Sequence, residues 1–208
     1  MQYITIKDIA RALNVSVSTV SRAFNDKDDI RKETRDIILQ KAKELGYNPS
    51  PIARNFLQNR TYNIGVVVPE FINAFFPEVI IGIQQVVLQQ GYKLIIMQSN
   101  ENADEEEDNL RFLEKIRVEG IIISLCRETR NIAFIRELID KHIPIVLFNR
   151  VNESLETPKV IFDDYKWALF ATEHLIEQGY RKIFHFSGPK HLYLCQNRIK
   201  GYKQALEK

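Results

Sequence analysis

Between Asn14 and Phe24 the sequence crowds short hydroxyl side chains, a branched apolar one and a guanidinium into about two helical turns. Turning Val15, Val20 and Phe24 inward leaves Val17, Ser18, Ser21 and Arg22 on the outer face. Short hydroxyls and a methyl-bearing residue suit close approach to base edges and thymine methyl groups, and an arginine makes the bidentate contact to guanine O6 and N7. That pattern predicts a helix reading a DNA major groove. Thr5, Ser16, Thr19, Arg31, Lys32 and Thr34 flank the same face and are expected to hold phosphates and fix the register.

A second set of polar and aromatic side chains follows a series of apolar runs. Pro69 to Phe76 come after the first run, Ser99 after the second, Asn149 and Arg150 after the fourth, Asp163 and Asp164 after the fifth, and Ser187 to Arg198 after the sixth. Aromatic faces stack on a ring while amide, carboxylate and guanidinium groups bind hydroxyls, so the set fits a sugar or similar small polar ligand. Asn149 has a second reading, as a strand-end turn residue. Catalysis finds no comparable set. The eight glycines are isolated, so neither GxGxxG nor GxxxxGK occurs. His142, His174, His185 and His191 show no HExxH spacing and no nucleophile partner. No enzyme activity, metal or cofactor is expected.

The elements that must position these residues read clearly from periodicity. Three helical patterns fit before residue 48: Ile6, Ile9, Ala10, Leu13; then Val17, Val20, Ala23, Phe24; then Ile37, Ile38, Ala42, Leu45. Thr5 and Asp8 form a capping-box start for the first, and Ser16 caps the second across a tight Asn14 to Ser16 turn. Prolines 49 and 51 then mark a boundary. Ser50 and Pro51 start a further short helix, IARNFLQN, which cannot repay its nucleation cost in water and should fray until DNA and a second copy pack against it.

Beyond it, apolar runs at Ile64 to Val68, Tyr92 to Met97, Gly120 to Leu125, Ile143 to Phe148, Val160 to Phe162 and Lys182 to Phe186 read as strands. Helical patterns at Phe76 to Gln90, Ala103 to Arg117, Ile132 to Lys141 and Trp167 to Gln178 alternate with them. Continuous Ile/Val strands, each followed by a helix, imply an α/β fold with a doubly wound parallel sheet. The acidic run Asp104 to Asp108 reads as a solvated first turn complementing the helix dipole.

Composition agrees. The chain has 208 residues, 45% hydrophobic and 27% charged, a globular balance with room for one or two cores. Its net charge of +2 divides unevenly: residues 1 to 62 carry 11 basic against 7 acidic side chains, and the remainder 18 against 20. The basic head suits a polyanion. No apolar run is long enough to span a bilayer, and Lys7, Asp8 and Arg11 interrupt what a secretory signal would need, so a cytoplasmic protein is expected. Cys126 and Cys195 are far apart and expected to be reduced, buried thiols.

The string TIKDIARALNVSVSTVSRAFN, followed by IRKETRDIILQKAKELGYNPSPIARNFLQNRTYNIGVVVP, resembles the LacI/GalR family of transcription regulators. The resemblance continues through FFPEVIIGI, VEGIII, VIFDD, ATEHLIEQGYRKIFHFSG and RIKGYKQAL in the expected order. It implies a helix-turn-helix domain over residues 1–48, a hinge helix and linker over 49–62, and a periplasmic-binding-protein-like effector domain. The N-subdomain would cover 63–162 and the start of the C-subdomain 163–208, with the chain ending before that subdomain is complete. It also implies a homodimer on a double-stranded operator, with two hinge helices entering the minor groove. Ala53 would face the groove floor, and Phe56 would stand where a wedging leucine is usual. In the effector site it implies Phe75 or Phe76 as the stacking aromatic, Asn149 where an aspartate is common, and Arg198 as the arginine that grips the ligand; Arg150 and Asp163 complete the set. Trp167 departs from the small residue usual there; it either reaches the pocket or, as is expected, fills a helix-sheet interface. Two other readings remain: a periplasmic-type sugar-binding protein, and a small enzyme of the doubly wound class. The basic head and the missing phosphate loops argue against them.

Overall fold

The protein is described by a computed structural model over residues 4–24, 30–47, 60–72 and 74–207. It divides into two compact units, Met1–Thr61 and Tyr62–Lys208. The expected hinge helix with Ala53 and Phe56, and the Asn48 to Pro51 boundary, lie outside the described residues.

In the first unit, helix α1 spans Ile6–Leu13, α2 Val17–Phe24 and α3 Lys32–Glu44. The Thr5 amide and hydroxyl both donate to the Asp8 carboxylate, at 2.9 and 2.7 Å, which starts α1 and holds that carboxyl below its usual range. Asn14 ends α1 in the left-handed region, and Ser16 Oγ accepts the Thr19 amide at 3.1 Å to start α2. Ile9, Ala10, Val20, Ala23, Ile38 and Ala42 form the core, with Leu13, Val15, Phe24 and Leu45 packed around it. The expected inward face of α3 needs one correction: Ile37 is exposed. The row Ile38, Ala42 and Leu45 already fills the inward stripe, and Ile37 lies about 100° away from Ile38 around the helix.

The second unit is a five-stranded parallel sheet in the order β2-β1-β3-β4-β5. Its strands are β1 Asn63–Val68, β2 Lys93–Gln98, β3 Gly120–Ile123, β4 Ile145–Phe148 and β5 Lys159–Val160. Helices α4 (Phe75–Gln89), α5 (Ala103–Lys115) and α6 (Ile132–Asp140) cover its two faces. The alternation along β1 assigns them: Val66 and Val68 pack with Phe76 and Ile80 of α4, whereas Val67 packs with Leu110 and Leu113 of α5 and Ile135 and Leu138 of α6. Two further helices, α7 (Asp164–Glu177) and α8 (Tyr193–Leu206), pack closely on each other.

Several expectations change here. Lys182 to Phe186 is not a strand; among the described residues no neighbouring strand pairs with it, and Phe184 and Phe186 stand exposed. The fifth strand is confined to Lys159–Val160. Helix α7 starts before Trp167 because the Asp163 carboxylate accepts the Lys166 amide at 3.0 Å. Trp167 fills no helix-sheet interface: it is half exposed, stacked on Phe162 and edge-on to Phe170. The acidic run is not wholly solvated either. Its middle residue, Glu106, is fully buried and accepts the Cys126 amide at 2.6 Å and the Thr129 hydroxyl at 3.0 Å. Burial pushes its carboxyl above the ordinary range despite those bonds.

Two expected outcomes follow from this packing. A Cβ on Gly201 would lie 2.8 Å from the Leu169 amide nitrogen, and closer still to the Tyr165 carbonyl oxygen, both backbone atoms that cannot swing aside. Gly201→Ala therefore loses about 1 to 3 kcal/mol through overpacking, more than the alanine gains in helix propensity. Urea unfolding followed by Trp167, the only tryptophan, reads it directly. Glu106 makes stability depend on pH. A raised folded-state pKa means the folded chain holds the proton more tightly than the unfolded one. That contribution is fully present below the ordinary value of 4.5 and is lost as pH rises through the elevated one. Glu106→Gln keeps an oxygen for the Cys126 amide without titrating, so above pH 4.5 its melting temperature should fall less steeply than the wild type's.

Candidate functional site

The first candidate surface is the outer face of α2. Val17, Ser18 and Arg22 are exposed, Ser21 is half-buried, and no acidic residue occurs in the helix. The Ser18 and Thr19 hydroxyls each lie 2.7 Å from Ser16 Oγ, so three hydroxyls gather at the helix start, where backbone amides also face outward. Arg31 and Lys32 are exposed at the start of α3, and Thr34 is half-buried one turn in. Thr5 is the exception, because its hydroxyl already donates to Asp8.

In the second unit a cavity of about 570 Å³ opens beyond the carboxyl ends of the strands. Five of the six expected ligand residues meet there: Phe75, Phe76, Asn149, Arg150 and Arg198. They come from the start of α4, the end of β4 and the second turn of α8. Of the two aromatics Phe75 is the exposed one; Phe76 is buried, edge-on to Phe148, and belongs to the core beneath. Asn149 combines both of its readings. It ends β4 in the left-handed region with φ 56°, donating its amide to the Val160 carbonyl at 3.0 Å, and it also lines the cavity. Asp163 does not line the cavity, being the cap of α7; its neighbour Asp164 is buried and accepts Arg198 Nε at 2.7 Å.

Sequence reasoning missed Arg127 as a lining residue and Glu101 behind it; Leu192, Leu194 and Cys195 fall within the expected Ser187 to Arg198 stretch without having been singled out. The missing signal was available for Arg127, which follows the third apolar run just as Asn149 and Arg150 follow the fourth. Glu101 accepts Arg150 Nη1 with both oxygens, at 2.7 and 2.8 Å, and the Arg127 backbone amide at 2.9 Å; Arg127 Nε lies 3.4 Å away. His191 Nε2 lies 2.7 Å from the Arg127 carbonyl oxygen. The loop after β3 is thus fixed on both sides of its arginine. Cys195 adds no nucleophile, since burial pushes its thiol up and keeps it protonated. The site as built sets an aromatic face against several guanidiniums, a lining chemically suited to a polar molecule; among the described residues no group of His, Cys, Asp or Glu could hold a metal ion.

Comparison with known proteins gives a match for each of the two units. Residues 61–208 match the family model of periplasmic binding proteins and the sugar-binding domain of the LacI family, and residues 5–50 match that of bacterial regulatory proteins of the lacI family. The ribose operon repressor of Halalkalibacterium halodurans is 35% identical over 98% of this chain and 60% of its own length. The HTH-type transcriptional repressor PurR of Vibrio atlanticus is 36% identical over 97% and 60%. A LacI-family transcriptional regulator from Silicibacter pomeroyi superposes with a TM-score of 0.74 at 28% identity, covering 98% of this chain and 61% of that one. The chain therefore spans about 60% of the length of the curated relatives it matches. With a lacI-type three-helix unit at one end and a sugar-binding-type parallel sheet over the rest, the chain belongs to the LacI family.

Proposed function

We propose that this chain is, or is part of, a sequence-specific DNA-binding transcription regulator that answers to a small polar effector. The observation that carries the reading is the outer face of a short, acid-free helix, with Val17, Ser18 and Arg22 exposed and Ser21 half-buried among them, in the unit that matches the lacI regulatory model. Val17 and Ser18 approach base edges, Arg22 reads a guanine, and Ser16, Thr19, Arg31, Lys32 and Thr34 hold phosphates. Thr5 joins this set only where a phosphate competes with Asp8, which takes both its amide and its hydroxyl. Residues 1–48 form the DNA-binding domain, and 49–62 the hinge whose Ala53 and Phe56 meet the minor groove. Residues 63–162 and 163–208 belong to the two parts of the effector domain. The relatives named as repressors favour repression as the sign of control. Such a protein works in the cytoplasm and has no catalytic role. A periplasmic sugar-binding protein would have no use for residues 5–50.

Operator binding of this kind is symmetric, which requires a second copy. Ile81 and Leu88 lie seven residues apart on the outward side of α4, both more than half exposed. Strand β2, at the edge of the sheet, exposes Ile96. An apolar stripe next to an unpaired edge suits a twofold contact. In this reading the effector changes the spacing of the two hinges, and it does so only by its difference in affinity for the two arrangements.

Selection of bound duplexes from a random pool, followed by fluorescence titration, tests the reading. Affinity should fall steeply with salt. Arg22→Ala should relax preference at one base pair at a cost of about 1 to 3 kcal/mol, while Lys32→Ala weakens every sequence alike and lowers the salt slope by about one. No preference among random duplexes would overturn the proposal. Ile81→Asp should shift the light-scattering mass toward the monomer, raising the dimer Kd at least about tenfold, equivalent to roughly 1.4 kcal/mol.

A further inference from the structure

Resting on the reading of the second unit as an effector domain, we propose that its ligand is a phosphate ester of a small polyhydroxylated ring, and that Arg127 and Arg198 grip the phosphate. Among the described residues the cavity is lined by three guanidiniums, of Arg127, Arg150 and Arg198, and by no carboxylate. The two acids nearest them stand behind the wall and are already engaged. Glu101 takes Arg150 Nη1 and the Arg127 amide, and Asp164 takes Arg198 Nε. Three positive charges against two negative ones leave the wall net positive.

The donor count makes the same case. Guanidinium groups only donate, whereas the hydroxyls of a neutral sugar need acceptors as well as donors. Among the described lining side chains the Asn149 amide oxygen is the one conventional oxygen acceptor. Arg150 is largely buried, with Nη1 spent on Glu101, so it is a fixed part of the wall. Arg127 and Arg198 are about half exposed and engage their carboxylates through Nε; among the described residues their Nη atoms donate to nothing. Each therefore keeps donors for an oxyanion.

An independent feature points the same way. The first turns of α4 and α8 both wall the cavity, through Phe75 and Phe76 and through Leu194 and Cys195. Their cap positions hold Ala74 and Leu192, and neither helix start receives a side-chain hydrogen bond. Two helices of 15 and 14 residues thus bring their positive ends to one volume already rich in arginine. A carboxylate offers two oxygens in one plane; donors from two separate elements of the wall match the three outward oxygens of a phosphate ester better. At about 570 Å³ there is room for a monosaccharide ring beside it.

Titration calorimetry on the 208-residue chain tests this with ribose 5-phosphate, glucose 6-phosphate and fructose 6-phosphate, their parent sugars, gluconate and inorganic phosphate. At least one ester should bind about 100-fold tighter than its parent, gluconate and inorganic phosphate, equivalent to about 2.7 kcal/mol. Arg127→Gln and Arg198→Gln, checked for unchanged melting, should each weaken that ester tenfold or more and narrow its advantage over the parent sugar. A parent sugar binding as tightly as its ester, equal binding of gluconate or free phosphate, or an ester indifferent to both substitutions overturns the phosphate assignment and leaves the effector reading standing. If the folded chain binds no member of the panel at millimolar concentration, the phosphate assignment falls, whereas the effector reading falls only if no small polar molecule changes its affinity for the selected duplex.

Discussion

One carboxylate holds the ligand cavity in shape. Glu101 lies in the loop after β2, in the left-handed region at φ 58°, and from there it bonds Arg150 after β4 and the backbone of Arg127 after β3. Three loops that are far apart in sequence are tied at a single group. The geometry is of the strong kind: both carboxylate oxygens accept, and Arg150 is mostly shielded from water. A shielded pair of this sort adds little net stability over apolar packing, because two ions must be desolvated. Its effect is on position. Removing Glu101 would leave a shielded guanidinium without a counter-charge and the β3 loop without its anchor.

The sheet places those loops together. Because all five strands run parallel, every carboxyl end faces the same way, and the order β2-β1-β3-β4-β5 puts β1 and β3 side by side at the centre. The chain leaves β1 for α4 on one face and leaves β2 and β3 for helices on the other. The loops after β1 and β3 therefore diverge and open a crevice at the reversal. Phe75 and Arg127 stand on those two loops or just beyond them, and Asn149 and Arg150 follow from the adjoining β4. The cavity is thus a consequence of strand order, and its polarity a consequence of which side chains end each strand.

Much of this was legible in sequence. The three helices of the first unit and the first four strands of the second appear where periodicity puts them, because a buried apolar stripe or run leaves a strong local signal. Five of six expected ligand residues line one cavity for a similar reason: strand ends are easy to find. The failures share a cause, which is that they depend on partners distant in the chain. Nothing near Lys182 to Phe186 reveals whether a neighbouring strand exists. Nothing local says that Glu106 folds inward toward Cys126 while Glu105 and Glu107 do not. Asp163 and Asp164 look equivalent in sequence. One caps α7 through a bond three residues away, and the other reaches Arg198 through the packing of α7 on α8, which the small Gly201 permits.

That packing also decides what a ligand can do. Arg127 belongs to the sheet side of the cavity, held by Glu101, Glu106 through Cys126, and His191. Arg198 belongs to the helix pair, held by Asp164 on α7. A ligand that bonds only one of them has the same affinity wherever the helix pair sits and shifts no equilibrium. A ligand that bonds both gains the second set of contacts only when the helix pair lies close to the β3 loop. The difference between those two affinities is all the free energy available to favour one arrangement over another. Spanning the two arginines is therefore the physical condition under which occupancy of this cavity could be felt elsewhere in the molecule.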